Sequence, residues 1–487
     1  MVLSIILSML LAAASPADLI PQPASFRETG GVCAADAPVR YRLGRKMEKG
    51  AYRMVIGKKA ISVDAADSLG AFYASQTLRQ LRMHSDELVC CEIYDEPRFA
   101  YRGYMLDLVS TWHDVDYIKR QIDAMALCKM NVLHLHLSDT HAWRLESEKY
   151  PLLQESTSWR YGASGEDWKV NRLFAPAGAP GATGGYYTKA QMRELIRYAA
   201  ERNIEVIPEI DFPGHVFAAL SAYPELRCET YVEEQGNPNQ PPYLVELCIG
   251  NPGTFDFVYG ILDEVAELFP SKYLHIGGDE AKMTAWKTCP KCQALMAREG
   301  MKDVRELQHY FTRKVTEYLL RKGRRPVGWD EYAGTELPED AVIMKWHKGC
   351  TLPGGHDVIM ATHNYTYLCY YQDAPMFERP AWSRYLPLDA VYRWDPALEE
   401  GAPARILGIE ACQWTSHFPD DDFLDYLSSY HFTGDVYAIP EGTVVFPNEP
   451  LVKVVAPVME AQLLEPALLN IINHQSLIAT KASRVCY

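Results

Sequence analysis

The stretch "YLHIGGDEA", residues 273–281, leads four strand-like residues through two glycines into two adjacent carboxylates, Asp279 and Glu280. Neighbouring carboxylates repel and neither is easily buried, so a purely structural design avoids the pair unless hydrogen bonds or cations compensate. The pair is therefore either a solvated acidic turn or a piece of chemistry. Other polar residues stand in the same situation, each at the end of an apolar, strand-like segment: Asp107, Asp139, Asp211 with His215, Asp330, Trp346 and Trp414. Histidines are present too, at His134 and His136 in "HLH" and at His215 and His275, and imidazoles among carboxylates first suggest a metal-dependent hydrolase. Against that reading, His134 and His136 run on through Leu137 and Ser138 to Asp139 in one strand, which places them deeper than its end. A third feature is aromatic. Trp329, Trp346, Tyr367 and Trp414 come from four successive late segments, and indole and phenol faces suit sugar rings and small acyl groups.

The elements that must position these residues alternate regularly. Strand-like "GYMLDLV", "NVLHLHLSD", "IEVIPEIDF", "KYLHIGG", "RPVGWD", "VIMKWH", "HDVIMAT" and "ILGIEACQW" are separated by helical patterns such as "VDYIKRQIDAMALCKM", "TKAQMRELIRYAAERN" and "NPGTFDFVYGILDEVAELF". Eight such strands predict a closed (β/α)8 TIM barrel over residues 98–430, whose strand C-termini form the active face. The connection "KGCTLPGG" is too short for a barrel helix, so one outer helix is expected to be missing or irregular. Residues 19–97 read as a small α+β domain, with "AYRMVIG" and "AISVDA" before the amphipathic "SLGAFYASQTLRQLR".

A chain of 487 residues has room for both domains, and a net charge of −15 argues against nucleic acid as partner. The apolar run at residues 2–14, followed by small residues, resembles a secretory signal over 1–18, although no Lys or Arg precedes Arg27. It is too short to span a bilayer, and export to a periplasmic or extracellular location is expected. Twelve cysteines are too sparse for a disulfide scaffold. Cys289 and Cys292 form "CPKC" without a second such pair nearby, which argues against structural zinc, while Cys228 and Cys248 are candidates for a bridge across a polar loop.

Taken in order, "RGYMLDLV", "KMNVLHLHLSD", "PEIDFPGH", "SKYLHIGGDE", "VGWDE" and the later tryptophans resemble the family 20 glycoside hydrolases, the β-N-acetylhexosaminidases. The resemblance covers roughly residues 19–426 and fades beyond "FLDYL", which leaves 431–487 as a divergent tail. It implies removal of terminal β-linked N-acetylhexosamine from glycans, without a cofactor or metal, with the substrate's own 2-acetamido oxygen as nucleophile. Glu280 is then the general acid and base, and Asp279 orients the acetamide and stabilises the oxazolinium. The resemblance further assigns Tyr367 to the acetamide oxygen, Trp329, Trp346 and Trp414 to its methyl group, and Asp139 and His215 to the proton affinity of Glu280.

The pattern also breaks. Where the family has an arginine after the first strand, this chain has Ser110; where it has two carboxylates, Cys369 and Ser416 stand; and "DTHAW" puts Thr140 and His141 in place of a more usual pair. These changes imply altered recognition of sugar hydroxyls, with His113, His141 and His417 as substitutes by position. The readings that follow are an active enzyme, with preference for a modified sugar such as 6-sulfated N-acetylglucosamine, or a protein that binds N-acetylated sugar without turnover.

Overall fold

The computed structural model of the chain describes residues 13–162, 174–230, 245–334, 336–372, 381–416, 435–438 and 452–455. The chain divides into two units, residues 13–419 and a second formed by 1–12 and 420–487. Of the second unit the described part is one antiparallel strand pair, Asp435–Ala438 with Val452–Val455. The rest of the expected tail and the apolar start of the expected leader lie outside the described residues.

In the first unit eight parallel strands close into a barrel in chain order: β1 (Tyr101–Asp107), β2 (Val132–His136), β3 (Glu205–Glu209), β4 (Tyr273–His275), β5 (Arg325–Trp329), β6 (Val342–Lys345), β7 (Asp357–Met360) and β8 (Ile406–Gln413), which pairs back onto β1. Every segment read as a strand from the sequence is one. The period of two explains the layering. In β2, Leu133 and Leu135 face the outer helices and join a core with Ile118, Ile122 and Leu195. Val132 from the opposite face meets Ile207, Val327 and Met344 inside the barrel.

Four helices carry the first half of the ring: α1 (Val115–Leu127), α2 (Lys189–Ala200), α3 (Pro252–Leu268) and α4 (Val304–Arg321). Their starts are written locally. Asp114 accepts the Tyr117 N–H at the head of α1, Thr188 and Gln191 form a reciprocal box at α2, Asn251 precedes Pro252 at α3, and Asp303 accepts two N–H groups at α4. Each such cap contributes about 1 kcal/mol. The second half is irregular. Between β5 and β6 runs a short 3-10 turn, Asp330–Gly334, and no helix lies between β6 and β7 among the described residues. Among the described residues, β7 and β8 are separated by the short helices His363–Thr366 and Leu388–Arg393, the small strand pair Tyr370–Tyr371 with Trp382–Tyr385, and the 3-10 turn Pro396–Leu398.

The small domain is a five-stranded sheet (Ser25–Ala34, Val39–Arg42, Tyr52–Gly57, Ala60–Ala65 and Glu87–Asp95) backed by the helix Ser68–His84. It begins earlier than residue 19. Ala14 is buried, pairs with Leu88 and donates to the Glu87 carbonyl at 2.8 Å, and Ser15 caps a 3-10 turn over Pro16–Asp18. Small apolar residues suit a covered sheet edge as well as a leader's cleavage region. The domain is tied to the barrel by Lys129 on Asp95 at 2.7 Å and by Arg102 on the Tyr73 hydroxyl at 2.5 Å. Cys228 and Cys248 do not form the expected bridge: both are free thiols, and they meet Cys289 and Cys292.

Candidate active site

Strand β4 ends at His275, and residues 277–280 turn sharply, with φ of +66° at Gly277, +100° at Gly278 and +45° at Glu280. A Cβ on Gly277 would lie 1.8 Å from Asp211 Oδ1, so only glycine fits there. Asp279 and Glu280 therefore do not diverge by simple alternation along a strand. A left-handed backbone at Glu280 turns the two side chains apart, leaving that of Asp279 15% exposed and that of Glu280 48% exposed. A non-glycine residue in this region costs about 1–3 kcal/mol, and His215, φ +52°, carries the same strain. Both strained residues meet at one point.

That point is the end of a hydrogen-bonded chain. Glu209 on β3 holds His136 at 2.6 Å, His136 stands 3.4 Å from Asp139, and Asp139 Oδ1 meets His215 Nδ1 at 2.9 Å. His215 Nε2 then faces Glu280 Oε2 at 3.4 Å and Asp279 Oδ2 at 3.5 Å. Burial pulls the His215 imidazole down, but the charges of Asp139 and Asp279 outweigh it and hold the group well above its ordinary value, so it is protonated at neutral pH. The contact with this cation keeps Glu280 below the usual carboxylate range. Burial, with the nearby Glu209 and Glu280, pushes Asp279 up to about 6, despite His215. Asp211 is raised well above its ordinary value by burial and by Asp279, and Glu331 to about 8 by the same two causes. Two adjacent carboxylates thus have opposite proton affinities.

One pocket gathers Asp139, His215, Asp279, Glu280, Trp329, Trp346, Tyr367 and Trp414, all eight residues singled out from the sequence. Trp346 and Tyr367 lie nearly parallel, 10° apart with centroids at 6.4 Å, and Trp414 stands 6.2 Å from both Tyr367 and Trp329. The walls are fixed from behind: the Trp329 indole donates to Glu209 at 2.9 Å and the Trp346 indole to Glu331 at 3.0 Å. Asp330 stays outside the pocket lining and accepts the N–H groups of Trp346 and His347, while Asp107 accepts those of Val109 and Ser110 in its own turn and that of Thr415 across the β1–β8 seam. Sequence reasoning placed Asp211 at a strand end without giving it a role, set His136 aside as a histidine deeper than the strand end, and left out Glu331. His136 has two roles, core partner of Glu209 and part of the pocket lining, and its position in mid-strand signalled only the first.

The metal-hydrolase reading rested on the histidines. His134, Glu209 and His275 lie close enough to share an ion, and so do Asp211, His215 and Asp279. In the first group the donors already serve one another: Glu209 takes His134 at 3.2 Å and His275 at 2.9 Å besides His136 and Trp329, and Glu410 takes the other nitrogen of His134 at 2.9 Å. Each of these buried histidines has its Nδ1 on a carboxylate, while His275 Nε2 has no hydrogen-bond partner among the described residues. Of the altered positions, Ser110, His141 and Ser416 line the pocket, whereas Cys369 packs in the inner barrel cluster with Tyr367 and Cys412. The His113 ring stacks on Tyr117 at 4.0 Å and does not line the pocket; His417 lies outside the described residues.

Residues 99–428 match the profile of glycosyl hydrolase family 20, catalytic domain, and residues 22–96 match that of its domain 2. The chain belongs to glycosyl hydrolase family 20. Among its family 20 relatives, a β-hexosaminidase of Vibrio furnissii is 38% identical over 407 residues, 80% of this chain and 65% of that protein. A β-hexosaminidase of Porphyromonas gingivalis is 38% identical over 400 residues, 77% of this chain and 48% of that protein, so this chain spans well under the full length of either. A solved family 20 exo-β-N-acetylglucosaminidase of Vibrio harveyi, in complex with N-acetylglucosamine, superposes with a TM-score of 0.73 at 30% identity, covering 86% of this chain and 72% of that one. A Streptomyces plicatus β-hexosaminidase variant in complex with its product, N-acetylglucosamine, gives 0.66 at 29%, covering 85% and 88%. Residues 409–473 match a different profile, the N-terminal domain of nicotinate phosphoribosyltransferase. The two matches overlap over residues 409–428, and only the second continues beyond them.

Proposed function

We propose that this chain is an exo-acting hydrolase that removes terminal β-linked N-acetylhexosamine with retention, through the substrate's acetamide. One observation carries the reading: Asp279 Oδ1 is buried without a hydrogen-bond partner among the described residues, in an aromatic-walled pocket whose rim holds Glu280. A buried carboxylate oxygen left unpaired costs stability, and an acetamide N–H supplies what it lacks. The acetamide oxygen attacks C1 as the glycosidic bond breaks, and Glu280 gives its proton to the leaving oxygen. Asp279 faces the N–H of the resulting oxazolinium and balances its charge. Water then adds at C1, Glu280 takes its proton, and the acetamide re-forms. A second hollow, lined by Glu280, Met283, Arg305, His309 and Thr351, adjoins the acid and offers room for the leaving group. The N-acetylglucosamine held by the Vibrio harveyi and Streptomyces plicatus proteins supports the same sugar class here. The apolar start of the chain supports export, which fractionation of expressing cells checks.

The first test is a thiazoline mimic of the cyclised intermediate. It is expected to inhibit competitively at micromolar concentration, and indifference at millimolar concentration speaks against acetamide participation. The finer part of the proposal concerns the sugar. In the pocket lining, Ser110 in place of an arginine removes one positive charge and Ser416 removes one negative charge; Cys369, behind the lining in the inner barrel cluster with Tyr367, removes a second negative charge, so the pocket with its surroundings is one unit more positive than the family pattern. Arg160 reinforces this side, since its guanidinium donates to the backbone carbonyl of Ser110. A charge-assisted hydrogen bond is worth about 1.5–3 kcal/mol, so 6-sulfated N-acetylglucosaminides are expected to exceed unsulfated ones in kcat/KM by about tenfold or more. Cys369→Asp is expected to reduce that ratio. A wild-type preference for the unsulfated sugar that Cys369→Asp leaves unchanged removes this part of the proposal.

A further inference from the structure

Outside the pocket, the loops behind the catalytic pair bring four cysteines together. Cys228 follows the turn Pro224–Leu226, Cys248 precedes the cap of α3, Cys289 caps the helix Pro290–Glu299, and Cys292 lies in its first turn. All four are buried and free, and their sulfurs all lie within 4.8 Å of one another. Cys228 and Cys292 are 3.8 Å apart, Cys248 and Cys289 3.7 Å, and Cys248 and Cys292 3.8 Å. A disulfide needs about 2.05 Å. Four thiolates at the Zn–S length of about 2.3 Å around a tetrahedral ion stand about 3.8 Å from one another. The second pair that "CPKC" lacks in the local sequence is supplied by Cys228 and Cys248, one from each end of a loop that the fold closes.

We propose that Cys228, Cys248, Cys289 and Cys292 bind one structural zinc ion. The surroundings fit that role. The backbone N–H groups of Asn251 and Gly250 are directed at the Cys248 and Cys292 sulfurs, as thiolate ligands require. Gly250 is needed for the approach, because a Cβ there would lie 2.2 Å from the Lys291 carbonyl carbon. On binding, four S–H bonds lose their protons to solvent, four sulfur lone pairs go to the ion, and nothing is oxidised or reduced. The net charge of −2 is met by those N–H groups and by Lys291, which also pairs with Glu229 at 2.8 Å.

The ion joins the loop after β3, which carries His215, to the loop after β4, which carries Asp279 and Glu280. The same two loops are laced beside it by Trp286 Nε1 on the Leu247 carbonyl at 2.9 Å and by the Ala285 N–H on Glu246 at 3.2 Å. Zinc is therefore a positioning element for the His215–Glu280 contact, and no step of hydrolysis passes through it.

The test starts with the full chain purified without chelator. Elemental analysis is expected to find about one zinc per chain, and an organomercurial titrant is expected to release it as four thiols react. Cobalt exchanged into the site is expected to give the strong visible absorption of a tetrahedral thiolate complex. Cys289→Ser with Cys292→Ser is expected to abolish retained zinc and lower Tm. Should that variant not fold, the wild-type stoichiometry decides alone. Zinc below about 0.1 per chain overturns the proposal, whether mass spectrometry finds two disulfides or four free thiols, and so does iron in zinc's place.

Discussion

Glu280→Gln is expected to lower kcat on unactivated β-N-acetylglucosaminides by about 10²- to 10⁴-fold, while aryl glycosides with strongly acidic leaving groups lose far less. The side chain is half exposed at the rim, and glutamine keeps its volume, so the fold and KM for the sugar should change little. What the amide cannot do is deliver a proton to an oxygen that needs one. The contact with His215 holds Glu280 below the usual carboxylate range, which suits the second task proposed for it, taking a proton from water. A series of aryl glycosides graded by leaving-group acidity measures the effect as the slope of log kcat, steeper in the variant. If the variant cleaves natural-type glycosides at the wild-type rate, Glu280 is not the acid.

Much of this arrangement can be read from sequence because the barrel turns order along the chain into position in space. Each strand delivers its last residues to the same face, so Asp139, His215, Asp279 and Trp329 converge although nearly 200 residues separate the first from the last. Alternation and helix caps are local signals, and they placed all eight strands. What escaped was set by tertiary packing. The left-handed turn at Glu280 depends on Asp211 crowding Gly277 from another strand, and nothing in "GGDE" says so. The four cysteines come from two loops that meet only in the folded chain, so spacing along the sequence argued against the metal site that the folded spacing supports. His136 was legible as a core histidine and illegible as the first link towards Glu280, because its partners Glu209 and Asp139 are fixed by strand register.

Asp279→Asn is expected to slow activated and unactivated glycosides alike, by about 10²- to 10³-fold, since on the proposed mechanism the charge it loses faces the acetamide and the oxazolinium and not the leaving group. Its pH behaviour separates it from a merely structural change. Asp279 takes a proton as pH falls through about 6, while Glu280, held down by His215, stays ionised to lower pH. The reactive form needs the opposite assignment, Glu280 protonated and Asp279 ionised. It is the minor singly protonated form of the pair, most populated between the pair's two titrations. Wild-type kcat/KM on an unactivated glycoside is therefore expected to be bell-shaped with its upper limb near 6, and in Asp279→Asn that limb moves lower because only Glu280 still titrates. Stability moves the other way. A folded value above the unfolded one means that the native state binds the proton more tightly, so wild-type stability falls as pH rises from about 4 to 6 and the loss persists above it, on the order of 3 kcal/mol. Asp279→Asn is thus expected to be the more stable protein at pH 7.5, with the gap closing towards pH 4, as denaturant titrations at the two pH values would show. A variant that keeps the wild-type rate on aryl glycosides, or whose stability differs from wild type equally at both pH values, would remove Asp279 from the role assigned to it.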